Sequence, residues 1–208
     1  MMTVAGLDLG QSVDHAALVV ADAQPAPLSV RVNRVRQYPI GTSYAVILPD
    51  VAATLSAMPE PIALAVDARG PGKPCVDMLA AWSGRDQAGP ELIPRPTYGL
   101  NLARLLAVSN TSGKVSRREQ SRPGDPPHLE RWCVPKITLF HCLSRLIKSG
   151  GLNVSDTAGA DLLKGEFQNF GFRFTEAGNL KLDARTGHDD LLLATSILIW
   201  AAITQGAA

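Results

Sequence analysis

The sequence predicts an α/β domain on a mixed sheet, an antiparallel meander continued by parallel strands and flanked by helices, with a β-hairpin before the C-terminal helix. Three observations predict it. Three strand-like stretches, Thr3 to Gly10, His15 to Ala21 and Leu28 to Tyr38, follow one another across short turns. A helical stretch, Ser43 to Met58, leads to the apolar run Pro61 to Asp67, and a strand reached by a helical crossover runs parallel to its predecessor. The chain closes on Gly187 to Trp200, apolar on almost every side and so expected as a buried helix.

Taken in order, Val4 and Leu7 to Leu9 suit a strand buried on both faces, while Gly6 and Gly10 let another backbone or a phosphate come close. The turn Gln11 to Asp14 returns the chain into the second strand, and Pro25 and Pro27 interrupt it. In the third strand Val30, Val32 and Val35 alternate with Arg31, Arg34 and Arg36, one face buried and one basic. Val46, Ile47, Val51 and Leu55 carry the crossover helix despite Pro49, which ends before Pro59 and Pro61.

Beyond Asp67, the loop Arg69 to Pro74 opens a helix from Cys75 to Trp82. Glu91 to Ile93 reads as a short strand and Asn101 to Val108 as a short helix. Ser109 to Pro127 is rich in Ser, Arg, Gly and Pro and lacks periodicity, the pattern of a mobile basic loop within a single domain spanning residues 1–208. Helices are expected over Pro135 to Ser149, stopped by Gly150-Gly151, and over Ala160 to Phe170. Phe172 to Leu182 alternates around Gly178-Asn179 as a hairpin over about 172–184.

With 208 residues, 46% of them hydrophobic, the chain has material for a substantial core. A net charge of +1 gives no global field for polyanions, so any nucleic-acid surface must come from local clusters of Lys and Arg. Cys75, Cys133 and Cys142 lack metal-knuckle spacing and are odd in number, so reduced thiols are expected. No cleavable signal precedes Thr3, and Leu191 to Ile203 is too short to span a bilayer, so a cytoplasmic location with no membrane partner is expected.

The chemistry lies in the acids. Asp8 ends one core strand, Asp67 ends another, and Asp189-Asp190 opens the buried helix. Acids in a helix's first turn are favoured by capping and by the dipole whatever their role. Their conjunction with two strand-end acids is what points to a metal, because carboxylates that meet at one sheet edge repel and a divalent cation resolves the repulsion. Hard oxygen ligands of this kind suit Mg²⁺ or Mn²⁺.

The order of elements resembles the ribonuclease H-like fold. More closely, GLDLGQSVDHAALVV, AVDARGPGKPCVDML, VPKITLFHCLSRLIKSGGLNV and GHDDLLLATSILIWAA look like the nuclease domain of phage large terminase subunits, from about Gly6 to Ala202. The resemblance implies a metal-dependent endonuclease cutting concatemeric double-stranded viral DNA during packaging. Asp8, Asp67 and Asp189 or Asp190 would be metal ligands, holding two ions roughly 3.5–4 Å apart, with Asp8 bridging. It also implies partners: a packaging ATPase domain or subunit, a small terminase and a capsid portal, with the isolated domain monomeric in the host cytoplasm. His188 stands where it can orient a water or phosphate, and Asp14 reads as a solvated turn acid. DNA contact would fall to Lys73, to Lys114, Arg117, Arg118 and Arg122, and to the hairpin's Arg173, Lys181 and Arg185.

Neither Gly72-Lys73 nor Gly113-Lys114 satisfies Walker A, since Pro74 and Val115 follow where Ser or Thr is needed. The chain is therefore expected to be an excised domain or a separately encoded nuclease rather than the motor. Three rivals remain: a Holliday junction resolvase-like nuclease, an ATP-binding protein of the sugar kinase, Hsp70 and actin type suggested by GLDLGQS, and a non-catalytic packaging adaptor.

Overall fold

The computed structural model describes residues 1–10, 13–70, 72–83, 100–174, 180–184 and 188–206, of which 170–174 and 180–184 are described by backbone alone. Strands β1 (Met2–Asp8), β2 (Ala16–Pro25) and β3 (Leu28–Tyr38) form the expected antiparallel meander. Helix α1 (Tyr44–Ser56) crosses over to β4 (Ile62–Asp67), which pairs parallel with β1. Ser43 starts α1: it is extended, and its hydroxyl accepts from the Ala45 N–H at 3.2 Å.

Helix α2 (Gly72–Trp82) follows, then β5 (Arg104–Thr111), the two-residue β6 (Arg117–Arg118) and β7 (Leu129–Pro135). Helix α3 (Lys136–Lys148), β8 (Leu152–Val154), α4 (Ala160–Asn169), the hairpin β9 (Phe170–Phe174) and β10 (Leu180–Ala184), and α5 (Asp190–Gly206) complete the chain. The main sheet runs β6-β7-β5-β4-β1-β2-β3-β8, and β9 and β10 form a separate antiparallel pair. Strands β1, β4, β5 and β7 are mutually parallel, so their C-terminal ends lie along one edge.

Alternation along the strands sorts the core into two layers. Val4, Ala63, Ala65, Leu106, Val108 and Val134 face α3, α4 and α5. Ala5, Leu7, Leu64, Val66, Leu105 and Ala107 face α1 and α2. Because helices cover both faces, central strands read as continuous apolar runs rather than alternating ones.

Two strands depart from the sequence expectation, β5 for that reason and β7 for another. The stretch read as a helix over Asn101 to Val108 instead carries β5 from Arg104: Leu105 to Val108 is a short apolar run that periodicity alone cannot assign, parallel neighbours pair with both its edges, and the helix layers bury both its faces. Strand β7 was not expected, because Glu130 and Arg131 interrupt its apolar pattern. Both are buried and paired, Glu130 with Arg104 and with the Trp132 indole N–H at 3.1 Å, Arg131 with Asp125 and Asp77.

The segment expected as a mobile basic loop over 109–127 is tied at several points. Its start belongs to β5, Arg117 and Arg118 pair with β7, and the Glu119 N–H donates to the Arg131 carbonyl at 2.8 Å. Arg131 then grips the Asp125 carboxylate with two donors, Nη2 at 2.8 Å and Nε at 3.0 Å. The expected hairpin is present, pairing Phe172 with Leu182 and Phe174 with Leu180, while the expected Gly178-Asn179 turn, the expected strand at Glu91 to Ile93, Gln11 and Arg185 lie outside the described residues. Cys75, Cys133 and Cys142 are free thiols. Among the described residues no helix is long and apolar enough to cross a membrane.

Candidate metal centre

The parallel register pairs Gly6 with Ala65 and Leu7 with Val66, so Asp8 and Asp67 are the next residues on neighbouring strands. Both belong to the alternation that faces α5, since Val4, Ala63 and Ala65 do. Two residues beyond Val108 on the same face of β5 comes Asn110, whose Nδ2 donates to Asp67 Oδ2 at 2.7 Å. The Arg69 N–H donates to Asp67 Oδ1 at 3.0 Å, and the Arg69 guanidinium holds the Asn110 side-chain oxygen. This is the carboxyl edge of a parallel set of strands, where open α/β sheets place their ligands.

Helix α5 brings the remaining acids. It packs on β1, β2 and β4, and its approach depends on Gly6, where a Cβ would stand 2.0 Å from the Ala194 carbonyl oxygen. At its start Asp190 is 4% exposed, and its Oδ2 has no hydrogen-bond partner among the described residues. Asp189 Oδ2 lies 3.2 Å from Lys136 Nζ. His188 Nδ1 is 3.7 Å from Asp190 Oδ2 and 3.9 Å from Asp14 Oδ1, and its ring stands edge-on to His15 at 4.7 Å. Across from the first turn, Glu166 of α4 accepts the Leu192 N–H at 2.8 Å.

These carboxyl groups feel one another. Burial pushes Asp8 well above the usual carboxylate range, and the charges of Asp67, Asp190 and Asp189 push it further. Burial also raises Asp67, opposed by the Arg69 N–H and guanidinium, Lys136 and Asn110. Asp190 is pushed up to about 6, by burial first and then by Asp14, with His188 opposing. Glu166 rises to about 7, chiefly through burial.

The donor set is all hard oxygen, the neighbouring charges repel, and one buried carboxylate oxygen has no donor among the described residues; a hard divalent cation fits that chemistry. As the side chains stand, among the described residues no three His, Cys, Asp or Glu form a group that could hold one ion. Asp67 is engaged by Asn110 and Arg69, and Asp189 by Lys136, so sharing an ion would require these carboxylates to turn inward.

The structure thus brings together Asp8, Asp67, Asp189, Asp190 and His188. It adds Asn110, Arg69, Lys136 and Glu166, which the sequence reading missed. Asn110 carried the same signal as Asp8, a polar residue just beyond an apolar run, but was hidden by the helical reading of β5. The expected DNA contacts are spread out. Lys73 and Arg122 line a small recess with Ala107, Ser109 and Arg131, on the α1 and α2 side of the sheet and away from the acids. Lys114, Arg117 and Arg118 are exposed, with Arg118 Nε 3.7 Å from Glu130 Oε2. Arg173 and Lys181 are register partners on the hairpin.

An antiparallel meander continued by parallel strands, with acids at their carboxyl ends and on the closing helix, defines the ribonuclease H-like fold. Solved structures that superpose on this chain include nuclease domains of large terminases. The large terminase nuclease of thermophilic phage G20c with bound magnesium superposes with a TM-score of 0.63 at 18% identity, over 96% of this chain and 80% of that one. The nuclease domain of the bacteriophage SPP1 large terminase with bound manganese gives 0.54 at 12% identity, over 97% and 86%. The human cytomegalovirus terminase nuclease domain, manganese-soaked and inhibitor-bound, gives 0.55 at 10% identity, over 98% and 85%. No family model and no curated protein matches the sequence.

Proposed function

We propose that this chain is a metal-dependent endonuclease that cuts double-stranded viral DNA during genome packaging. What supports the reading is that Asp8, Asp67 and the Asp189-Asp190 pair lie near one sheet edge, close enough for their charges to act on Asp8, in a fold shared with terminase nucleases, with Asp190 Oδ2 buried and without a donor among the described residues. Asp8, Asp67 and one or both of the paired acids would hold Mg²⁺ or Mn²⁺, in a two-ion arrangement. Bound there, the cations supply Lewis-acid stabilisation of the charge that develops on a phosphodiester during hydrolysis.

The protein's own part is placement. Asn110 and the Arg69 N–H fix the Asp67 carboxylate, Gly6 seats α5 so that its acids approach Asp8, and Glu166 anchors the first turn of α5. His188, partly exposed beside Asp190, is positioned to orient a water or a phosphate at the rim. Lys73, Lys114, Arg117, Arg118, Arg122, Arg173, Lys181 and Arg185 are the proposed phosphate contacts. A duplex touching both the acids and the Lys73 recess must pass across the strand ends, because the two lie on opposite faces. Residues 1–208 act in this reading as one domain working beside a packaging ATPase and portal.

The loose grouping of the acids favours one rival. In a non-catalytic docking module, Lys136 and Asn110 would satisfy Asp189 and Asp67 permanently. Nicking of supercoiled plasmid with Mn²⁺, Mg²⁺ or EDTA separates the two. Metal-dependent cutting that disappears in Asp8→Asn supports the nuclease; no cutting with any metal leaves the docking module.

A further inference from the structure

We propose that Lys136 is a built-in counter-ion of the acid cluster, seated where it competes with a divalent cation for Asp189. The inference rests on the metal-dependent reading and concerns what balances the carboxylates when no ion is bound.

Four polar residues succeed one another along the carboxyl edge of the sheet on its α5 side. Asp8 ends β1, Asp67 ends β4 and Asn110 stands near the end of β5. Lys136 comes two residues beyond Val134, the register partner of Asn110 on β7. The Lys136 ammonium is 3.2 Å from Asp189 Oδ2, with the two side chains 31% and 24% exposed, so the pair is only partly screened by solvent. It is also close enough to Asp67 to favour that acid's charged form. One cation therefore serves acids from two separate elements.

Helix stability does not account for a lysine here. Lys136 occupies the first turn of α3, where Pro135 supplies no side-chain cap and the helix dipole disfavours a cation. The acids across the edge are what make the position favourable. The ammonium also lies 5.6 Å from the centre of the Phe140 ring, a second resting place for the charge within reach of the same side chain.

A divalent ion on Asp189 would stand beside the ammonium, and their like charges repel. Loading the site then works against the Lys136 charge, and the affinity for metal is lower than the number of carboxylates would give.

The test is Mn²⁺ binding, by calorimetry and by the Mn²⁺ spin-resonance signal, to the wild type, Lys136→Met and Lys136→Arg, with thermal melts in EDTA beside it. Lys136→Met is expected to melt lower in EDTA and to bind Mn²⁺ roughly five- to tenfold more tightly, whereas Lys136→Arg stays near wild type. Lys136→Gln makes the same comparison should the Met variant not fold. Unchanged or weaker Mn²⁺ binding by the neutral variants, with normal binding by the wild type, overturns the counter-ion and leaves the metal reading standing. No Mn²⁺ binding by any of them overturns both.

Discussion

A Cβ on Gly6 would lie 2.0 Å from the backbone oxygen of Ala194, so α5 rests directly on the backbone of β1. That contact sets how near Asp189 and Asp190 stand to Asp8. Gly6→Ala is expected to force the helix outward, destabilising the fold by about 1–3 kcal/mol in urea denaturation. Protein that still folds should bind Mn²⁺ more weakly than wild type. Wild-type stability and binding together would mean that β1 and α5 yield without moving the acids.

Metal-free stability should fall as pH rises from about 4 to 7. Asp8, Asp190 and Glu166 all have folded-state values above their ordinary ones, about 6 for Asp190 and about 7 for Glu166. In that window the native state keeps protons that the unfolded chain releases, so each raised acid stabilises at low pH and loses that contribution as pH passes its folded value. Glu166→Gln retains an acceptor for the Leu192 N–H and removes the titrating charge. Unfolding in urea with EDTA at pH 5 and 7.5 should show the Gln variant losing less stability between the two, by about 1–2 kcal/mol. An unaltered difference would remove Glu166 from the account.

Asn110 is 6% exposed and gives Asp67 one of its two donors among the described residues. Asn110→Leu should destabilise the protein by about 1–3 kcal/mol through an unmatched buried carboxylate oxygen. Mn²⁺, which can take over that oxygen, should recover part of the loss in thermal melts. Equal destabilisation with and without Mn²⁺ would count against Asp67 as a ligand.

Arg131 is 5% exposed and binds Asp125 and Asp77, joining the 119–127 segment to α2. Truncation to Ala leaves Asp125 without its partner and should cost about 3–5 kcal/mol. Limited proteolysis should then cut between Arg117 and Arg122 much faster than in wild type. Comparable cleavage rates would show that the segment is held by β6 pairing alone.

The meander, the crossover to β4 and the apolar closing helix were legible because their signals are local: turn residues, proline stops and unbroken apolar runs. The acids of the centre were legible for the same reason, each ending or opening such a run. Local pattern alone therefore showed which residues bear the charge and at which element ends. Strand β7 and the true nature of β5 were hidden, since burying Glu130 and Arg131 depends on partners far along the chain, and a four-residue apolar run fits a strand or a helix alike. Only the tertiary structure could set Lys136 against Asp189, Asn110 against Asp67 and Lys73 on the far face of the sheet. Those relationships follow from sheet order and face, which long-range pairing decides and local pattern does not carry.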